Sequence, residues 1–319
     1  MRKKLLYRIA IVVCLAVFLF SCYKLVSYYL TGYQEESLYQ DLLQQVQDAQ
    51  QAAQDQANQT GNGDNNDGNT DDPDGDPDGN TGTSDGNGTS DGNGDGTGSG
   101  SDGNTGSGSD TSVPETPPPL YADSGRLYRY DALYLQNTDL VGWIYVPGTS
   151  SGYPVMQTPN NEEYYLRRNF YKKYAHSGTP FLDKDSDLED PASRIMVYGH
   201  NLKNGNMFSP FTKYTKVSHW KKYPTFTFDT LYESRTYRIL AVVQTDISQP
   251  GHFAYYAYDR FSSAAAFNGF VQEAKAASLY DTGVTAEYGQ QLMIISTCSY
   301  HVEGNGGRLA IIAVQEPAQ

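Results

Sequence analysis

Hydrophobic and polar positions follow different patterns in successive stretches of the chain. Residues 9–23 are almost wholly apolar, and residues 25–30 extend the run past Lys24, giving about the 20 residues that a bilayer-spanning helix needs. Residues 37–57 are rich in Gln and Ala, with Leu38, Leu42 and Val46 at i, i+4 and i+8, which predicts a short amphipathic helix beyond the membrane. From residue 58 the composition collapses to Gly, Asn, Asp, Ser and Thr. After residue 119, short segments of Tyr, Val, Ile, Phe and Thr are divided by Gly, Pro and Asn turns, the texture of a mostly antiparallel β domain. Strands are predicted over residues 144–146, 195–198, 225–228, 237–243, 292–296 and 309–314. Helices are predicted over 127–137 and 261–277, the latter with Phe261, Ala265, Phe267, Val271 and Ala274 on one face.

These textures divide the chain into a basic N-terminus (1–8), an apolar anchor (9–30), a juxtamembrane helix (31–57), a linker (58–119) and one folded domain (120–319). Arg2, Lys3, Lys4 and Arg8 precede the apolar run, so the positive-inside tendency leaves the N-terminus cytoplasmic and sends the domain outside. No small-x-small cleavage site follows the run, which argues against a removed signal peptide. Leu19-Phe20-Ser21-Cys22 loosely resembles a lipoprotein box in which Phe20 fits poorly, and lipidation of Cys22 stays open. The linker repeats TSDGNG at 83–88 and 89–94 and reads as a flexible tether. As a Gly-rich coil, residues 51–119 are expected to span roughly 45 Å and to give the domain reach from the membrane. Asp74, Asp76, Asp78 and Asp85 echo a calcium loop. That loop requires Glu at its last position and a helix on each side, so a solvated acidic tether is the better account.

Charge then refines the picture. Residues 51–119 hold thirteen Asp, one Glu and no Lys or Arg, a local −14 that equals the formal net charge of the whole chain. The acidity therefore belongs to the linker, and the remainder is neutral. No basic stripe is present to neutralise phosphates, which sets nucleic-acid binding aside. Of the three cysteines, Cys14 and Cys22 lie in the apolar run, so the folded domain carries the single thiol of Cys298. A lone extracytoplasmic cysteine points to a reactive group or an intermolecular link. The tyrosines, 21 of 27 of which come after residue 119, fit half-buried strands or a sugar-binding surface.

Cys298 closes an apolar run, and a loop from it returns through Arg308 into another, which puts the two residues at adjacent strand ends. A thiol needs a nearby base or cation to ionise usefully near neutrality. His200 comes after the apolar residues 195–197 on a glycine-permitted bend and is the preferred base. His176, His219, His252 and His301 lie in polar or turn-like settings. His301 is the serious rival because it is three residues from Cys298.

Several ordered motifs now resemble one family. Tyr198-Gly199-His200-Asn201 is followed by Lys203, Gly205, Met207 and Phe208, and Ser296-Thr297-Cys298 by Arg308. With them stand Asp139-Leu140-Val141-Gly142-Trp143-Ile144, Tyr153-Pro154-Val155-Met156-Gln157, Tyr165-Leu166 and Ser278-Leu279-Tyr280-Asp281-Thr282-Gly283-Val284. Together, over residues 127–314, they are similar to class B sortases, cysteine transpeptidases of Gram-positive bacteria. The resemblance implies an eight-stranded β-barrel with added N-terminal helices and a helix before the strand leading to the cysteine. It implies Cys298 as nucleophile, His200 as general acid/base and Arg308 as the cation for the oxyanion. Ser296, Thr297 and Leu166 fall where similar enzymes line the substrate groove. The implied partners are secreted proteins bearing a C-terminal sorting motif, cleaved after Thr, and an amine from peptidoglycan precursor or a pilin lysine. No metal or organic cofactor is implied. Two departures stand out: the family's Thr-Leu-x-Thr-Cys is Ile294-Ile295-Ser296-Thr297-Cys298 here, and the asparagine expected near Tyr165-Leu166 is one position early, at Asn161. Papain-like peptidases place cysteine before histidine, the reverse of this order. The non-enzymatic alternative is a stalked surface adhesin or carbohydrate-binding module, which gives no reason for a thiol and an arginine flanking one loop.

Overall fold

A computed structural model describes residues 2–61 and 121–317. Most of the expected linker, and with it the calcium-like run of aspartates, lies outside the described residues. Among the described residues eight strands close into a barrel: β1 (Leu140–Tyr145), β2 (Gly152–Met156), β3 (Phe181–Leu182), β4 (Arg194–Tyr198), β5 (Thr225–Thr230), β6 (Ser234–Asp246), β7 (Leu292–Cys298) and β8 (Gly307–Gln315). Around the barrel the order is β1-β2-β3-β4-β7-β8-β6-β5. The β2–β3 and β4–β7 pairs are parallel and the others antiparallel.

The central strands explain their own sequences. On β7, Met293 and Ile295 face the barrel interior, whereas Leu292 and Ile294 face an outer cluster under α4 (Ala264–Ala276). β8 alternates likewise, with Leu309, Ile311 and Ala313 inside and Ala310, Ile312 and Val314 outside. Burial on both faces produces continuous apolar runs without polar alternation. Helix α4 starts where Ser263 Oγ accepts the Ala266 N–H at 3.2 Å, an ordinary N-cap. It buries Phe267, Phe270, Val271 and Ala274. Phe261 is also buried but precedes the helix, and Ala265 is exposed, contrary to the predicted face. Phe270 replaces Ala265 because the buried stripe follows i, i+3, i+4 and i+7 from Phe267.

Helix α2 (Tyr128–Gln136) matches the predicted first helix of the domain, and a short α3 (Val217–Lys222) precedes β5. Two strands were not anticipated. In β2 all five residues are buried and Pro154 interrupts the strand signal, while β3 has only two residues. Pro154 is tolerated opposite Trp143, inside a register that also pairs Ile144 with Tyr153.

Helix α1 (Arg2–Gly61) is a single element, so helix extends into the first residues of the expected linker. Residues 11–20 are exposed, and the apolar part is long enough to cross a membrane. Further along, Tyr39, Leu42, Leu43 and Val46 are buried in the same cluster as the barrel core, with Leu38 packed against it. The predicted Leu38, Leu42, Val46 face therefore docks on the domain. The expectation that the linker gives the domain its reach did not foresee this docking, in which the helix that continues from the apolar run is itself held to the barrel.

Candidate active site

The barrel brings together three ends of chain. Cys298 is the last residue of β7 and Arg308 the second of β8, and they are direct cross-strand partners. β4 runs parallel beside β7 with Tyr198 opposite Ser296, so His200, two residues past Tyr198, leaves its strand next to Cys298, two residues past Ser296. Two hydrogen bonds bracket His200. Thr297 Oγ1 donates to the Gly199 carbonyl at 2.7 Å, and Asn201 Nδ2 donates to the Cys298 carbonyl at 2.9 Å. Cys298, His200, Arg308, Leu166, Ser296 and Thr297 all line one open cleft of about 500 Å³, together with Glu162, Glu163, Phe181, Ile247, Tyr255 and Tyr256.

The glycine before His200 is needed for space, not for an unusual backbone. A Cβ at Gly199 would stand 2.3 Å from Cδ2 of Phe208, and the Phe208 ring is fully buried. The Phe208 N–H donates to the His200 carbonyl at 2.9 Å, which ties that ring to the turn carrying the imidazole.

His200 Nε2 lies 2.9 Å from the Leu166 carbonyl. A carbonyl only accepts, so Nε2 carries the proton and the lone pair of the neutral ring sits on Nδ1. Burial lowers the His200 pKa from its ordinary 6.5, and the Arg167 and His176 charges lower it further, against the opposing bond to Leu166. The neutral, base-competent ring is thus favoured at neutral pH. Arg308 Nη1 donates to the carbonyls of Asn305 at 2.7 Å and Gly307 at 2.9 Å. Among the described residues Nε and Nη2 have no acceptor.

The other expected groove residues are more committed than the sequence suggested. Ser296 Oγ and Tyr255 Oη are 2.8 Å apart, and the Thr297 hydroxyl is held by Gly199, so both hydroxyls serve internal bonds. Leu166 contributes through its carbonyl as well as its side chain. Asn161 is exposed and precedes the short 3₁₀ helix Glu162–Arg167. His301 is exposed, hydrogen-bonds Ser299 Oγ at 2.9 Å and is not among the cleft-lining residues. Sequence reasoning missed Tyr255 and the role of Asn201. Asn201 stood inside a quoted motif; Tyr255 opens a short 3₁₀ helix, Tyr255–Ala257, in an aromatic segment where nothing sets it apart from its neighbours.

No family model matches the chain. It is 29% identical over 175 residues to sortase B of Listeria monocytogenes, covering 55% of this chain and 69% of that one. Among solved structures, sortase B of B. anthracis in complex with AAEK1 is 28% identical with a TM-score of 0.54, covering 63% of this chain and 90% of that one. A Staphylococcus aureus sortase B–substrate complex is 26% identical with a TM-score of 0.53, covering 60% and 86%. Closed barrel, N-terminal helices and relatives together make the chain similar to the sortases, a family of cysteine transpeptidases. Within that family the similarity is to class B sortases.

Proposed function

We propose that this chain is a membrane-anchored transpeptidase with Cys298 as nucleophile, His200 as acid/base and Arg308 as the oxyanion cation. The observation that carries the reading is the cross-strand pairing of Cys298 with Arg308, with His200 at the end of the adjacent parallel strand in the same cleft. The substrate is a secreted protein whose C-terminal sorting motif lies along the cleft. His200 Nδ1 takes the thiol proton, and Cys298 Sγ attacks the carbonyl carbon of the Thr residue. Nε and Nη2 of Arg308 face the resulting oxyanion, a contribution of about 3 kcal/mol for one well-placed donor. The C–N bond then breaks, the departing amine takes the proton from His200, and a thioester remains. An amine of peptidoglycan precursor, or a pilin lysine, adds to that thioester and gives a proton to His200, which passes it to Cys298 Sγ as the C–S bond breaks. The α1 apolar segment anchors the chain with its N-terminus inside and the barrel outside, and Ser296, Thr297 and Leu166 shape the groove wall.

The test is a panel of Asn-Pro-x-Thr and Leu-Pro-x-Thr peptides incubated with the full chain in detergent, read by cleavage and by the mass of the thioester adduct. The expected result is turnover of one peptide class, with cleavage and adduct both lost in Cys298→Ala. Retained cleavage in Cys298→Ala would sink the assignment. Ligand binding without turnover in the native chain would favour the adhesin.

A further inference from the structure

The barrel-docked part of α1 makes specific polar contacts with one loop. Glu35 Oε1 accepts the His176 N–H at 2.7 Å, and Oε2 accepts the Ser177 N–H at 2.8 Å. One turn later, the buried Tyr39 hydroxyl hydrogen-bonds the Gly178 carbonyl and lies 3.0 Å from Thr179 Oγ1. Burial pushes the Tyr39 phenol well above its ordinary pKa, so it stays a donor. Three consecutive loop residues are thereby fixed by two side chains of one helix.

That loop is in turn locked to the segment behind His200. The Thr179 N–H donates to the Tyr165 carbonyl at 3.0 Å, the Ala175 N–H to the Arg167 carbonyl at 3.1 Å, and Thr179 Oγ1 to the Arg168 carbonyl at 2.8 Å. Arg167 Nη1 returns a bond to the His176 carbonyl at 2.7 Å. Gly178 has φ +61°, and a Cβ there would lie 2.6 Å from the Leu166 oxygen, so the loop is pressed against the very carbonyl that accepts from His200 Nε2 at 2.9 Å. A partner on one ring nitrogen sets which nitrogen is the base and how the ring is turned.

We infer that Glu35 and Tyr39 of α1 are positioning residues for His200, acting through the 176–179 loop and the Leu166 carbonyl. This rests on the reading of His200 as acid/base. Neither side chain belongs to the cleft. Their effect is to hold the acceptor still, and two N–H groups on one carboxylate make the stronger, charge-assisted kind of bond. Because α1 is one helix from the apolar run onward, the element nearest the anchor also sets the geometry of the acid/base. The leading end of the docked helix therefore has a catalytic consequence that a passive stalk lacks.

The experiment uses the full chain in detergent micelles and the peptide that serves best in the cleavage assay. Tyr39→Phe removes one hydroxyl. Glu35→Gln keeps the shape but accepts one N–H where two were accepted. Kinetic constants, melting midpoint and the ¹⁵N shifts of the His200 ring are measured for each. Expected is a fall in kcat of about tenfold with KM within about twofold, since ~1 Å of misplacement alone costs ~10²-fold. The ring shifts should move from a pure Nε2–H pattern toward mixed tautomers, while the melting midpoint stays within a few degrees. Glu35→Asp should recover less than half of the loss, because its shorter arm cannot reach both N–H groups. Unchanged kcat and an unchanged tautomer pattern in a folded Glu35→Gln chain overturn the inference, and that variant stands alone if Tyr39→Phe does not fold. His200→Ala separates the two claims. If it abolishes turnover while the α1 variants are silent, only the positioning role fails; if it leaves turnover intact, the acid/base reading fails and takes this inference with it.

Discussion

Replacing Gly199 by Ala adds one methyl group at the most crowded point beside His200. Its Cβ would stand 2.3, 2.5 and 2.5 Å from Cδ2, Cε2 and Cγ of Phe208, whereas carbon pairs rest at about 3.5–4.0 Å. More than about 1 Å of overlap must be relieved. Phe208 has little room to retreat: it is fully buried, and its ring meets Phe211 edge to face with centroids 5.1 Å apart. The softer response is displacement of the 199–201 turn, which carries His200 and also holds the Thr297 and Asn201 bonds. Overpacking of this kind destabilises by about 1–3 kcal/mol, and a shift of about 1 Å at the imidazole lowers turnover on the order of 10²-fold. The assay is kcat on a cleavable peptide alongside the melting midpoint, with the double variant Gly199→Ala/Phe208→Leu as control. Removing ring atoms should restore part of kcat even though Phe208→Leu by itself destabilises, which is the non-additivity expected of touching residues. If Gly199→Ala keeps native kcat and stability, or if the double variant is as slow as the single one, the steric account of this glycine is wrong.

The same contacts set three more outcomes. Burial is the main cause of the lowered His200 pKa, so the folded chain binds that proton less readily than the unfolded one; stability should be lost as pH falls from about 6.5 through the lower folded value. Melting midpoints between pH 8 and 5 should drop more steeply for the native chain than for His200→Gln, and equal slopes would contradict the assigned environment. Leu42 is fully buried between α1 and the barrel, so Leu42→Ala should cost about 2–5 kcal/mol in denaturant unfolding, whereas a free stalk predicts almost no change. His301→Ala should leave kcat within about threefold because its ring lies outside the cleft, far short of the 10²–10⁴-fold expected for a working acid/base; a larger loss than in His200→Ala, with both chains folded, would reverse the choice of histidine.

Much of the site was legible because its residues end strands that announce themselves. Continuous apolar runs at 195–197 and 292–295 reflect burial on both faces of β4 and β7, and the residues just past such a run stand at a barrel rim. That logic made His200, Cys298 and Arg308 the candidates, and the three line one cleft. It failed at β2, whose five buried residues include Pro154, since proline lacks an N–H and argues against a strand unless no neighbour needs a donor at that position. It also failed at β3, which is too short to carry a period. The amphipathic face of α1 was visible in Leu38, Leu42 and Val46, but the surface it covers was not, because periodicity reports that a face is buried and never against which partner.

From the amino-acid order alone come the apolar N-terminal run, the acidic low-complexity segment, the β character of the domain, its single thiol and the motifs that resemble class B sortases. These are local properties of composition, period and spacing. The structure alone decided that Cys298 stands opposite Arg308, that β4 lies parallel beside β7, and that α1 returns to the barrel through Tyr39, Leu42 and Val46. It also decided that the partner of His200 is the Leu166 carbonyl and that Gly199 is required by the ring of Phe208. Register is set by closing the barrel, a long-range condition that no short window contains. A backbone carbonyl belongs to every residue alike, so its choice as acceptor leaves no mark in the sequence.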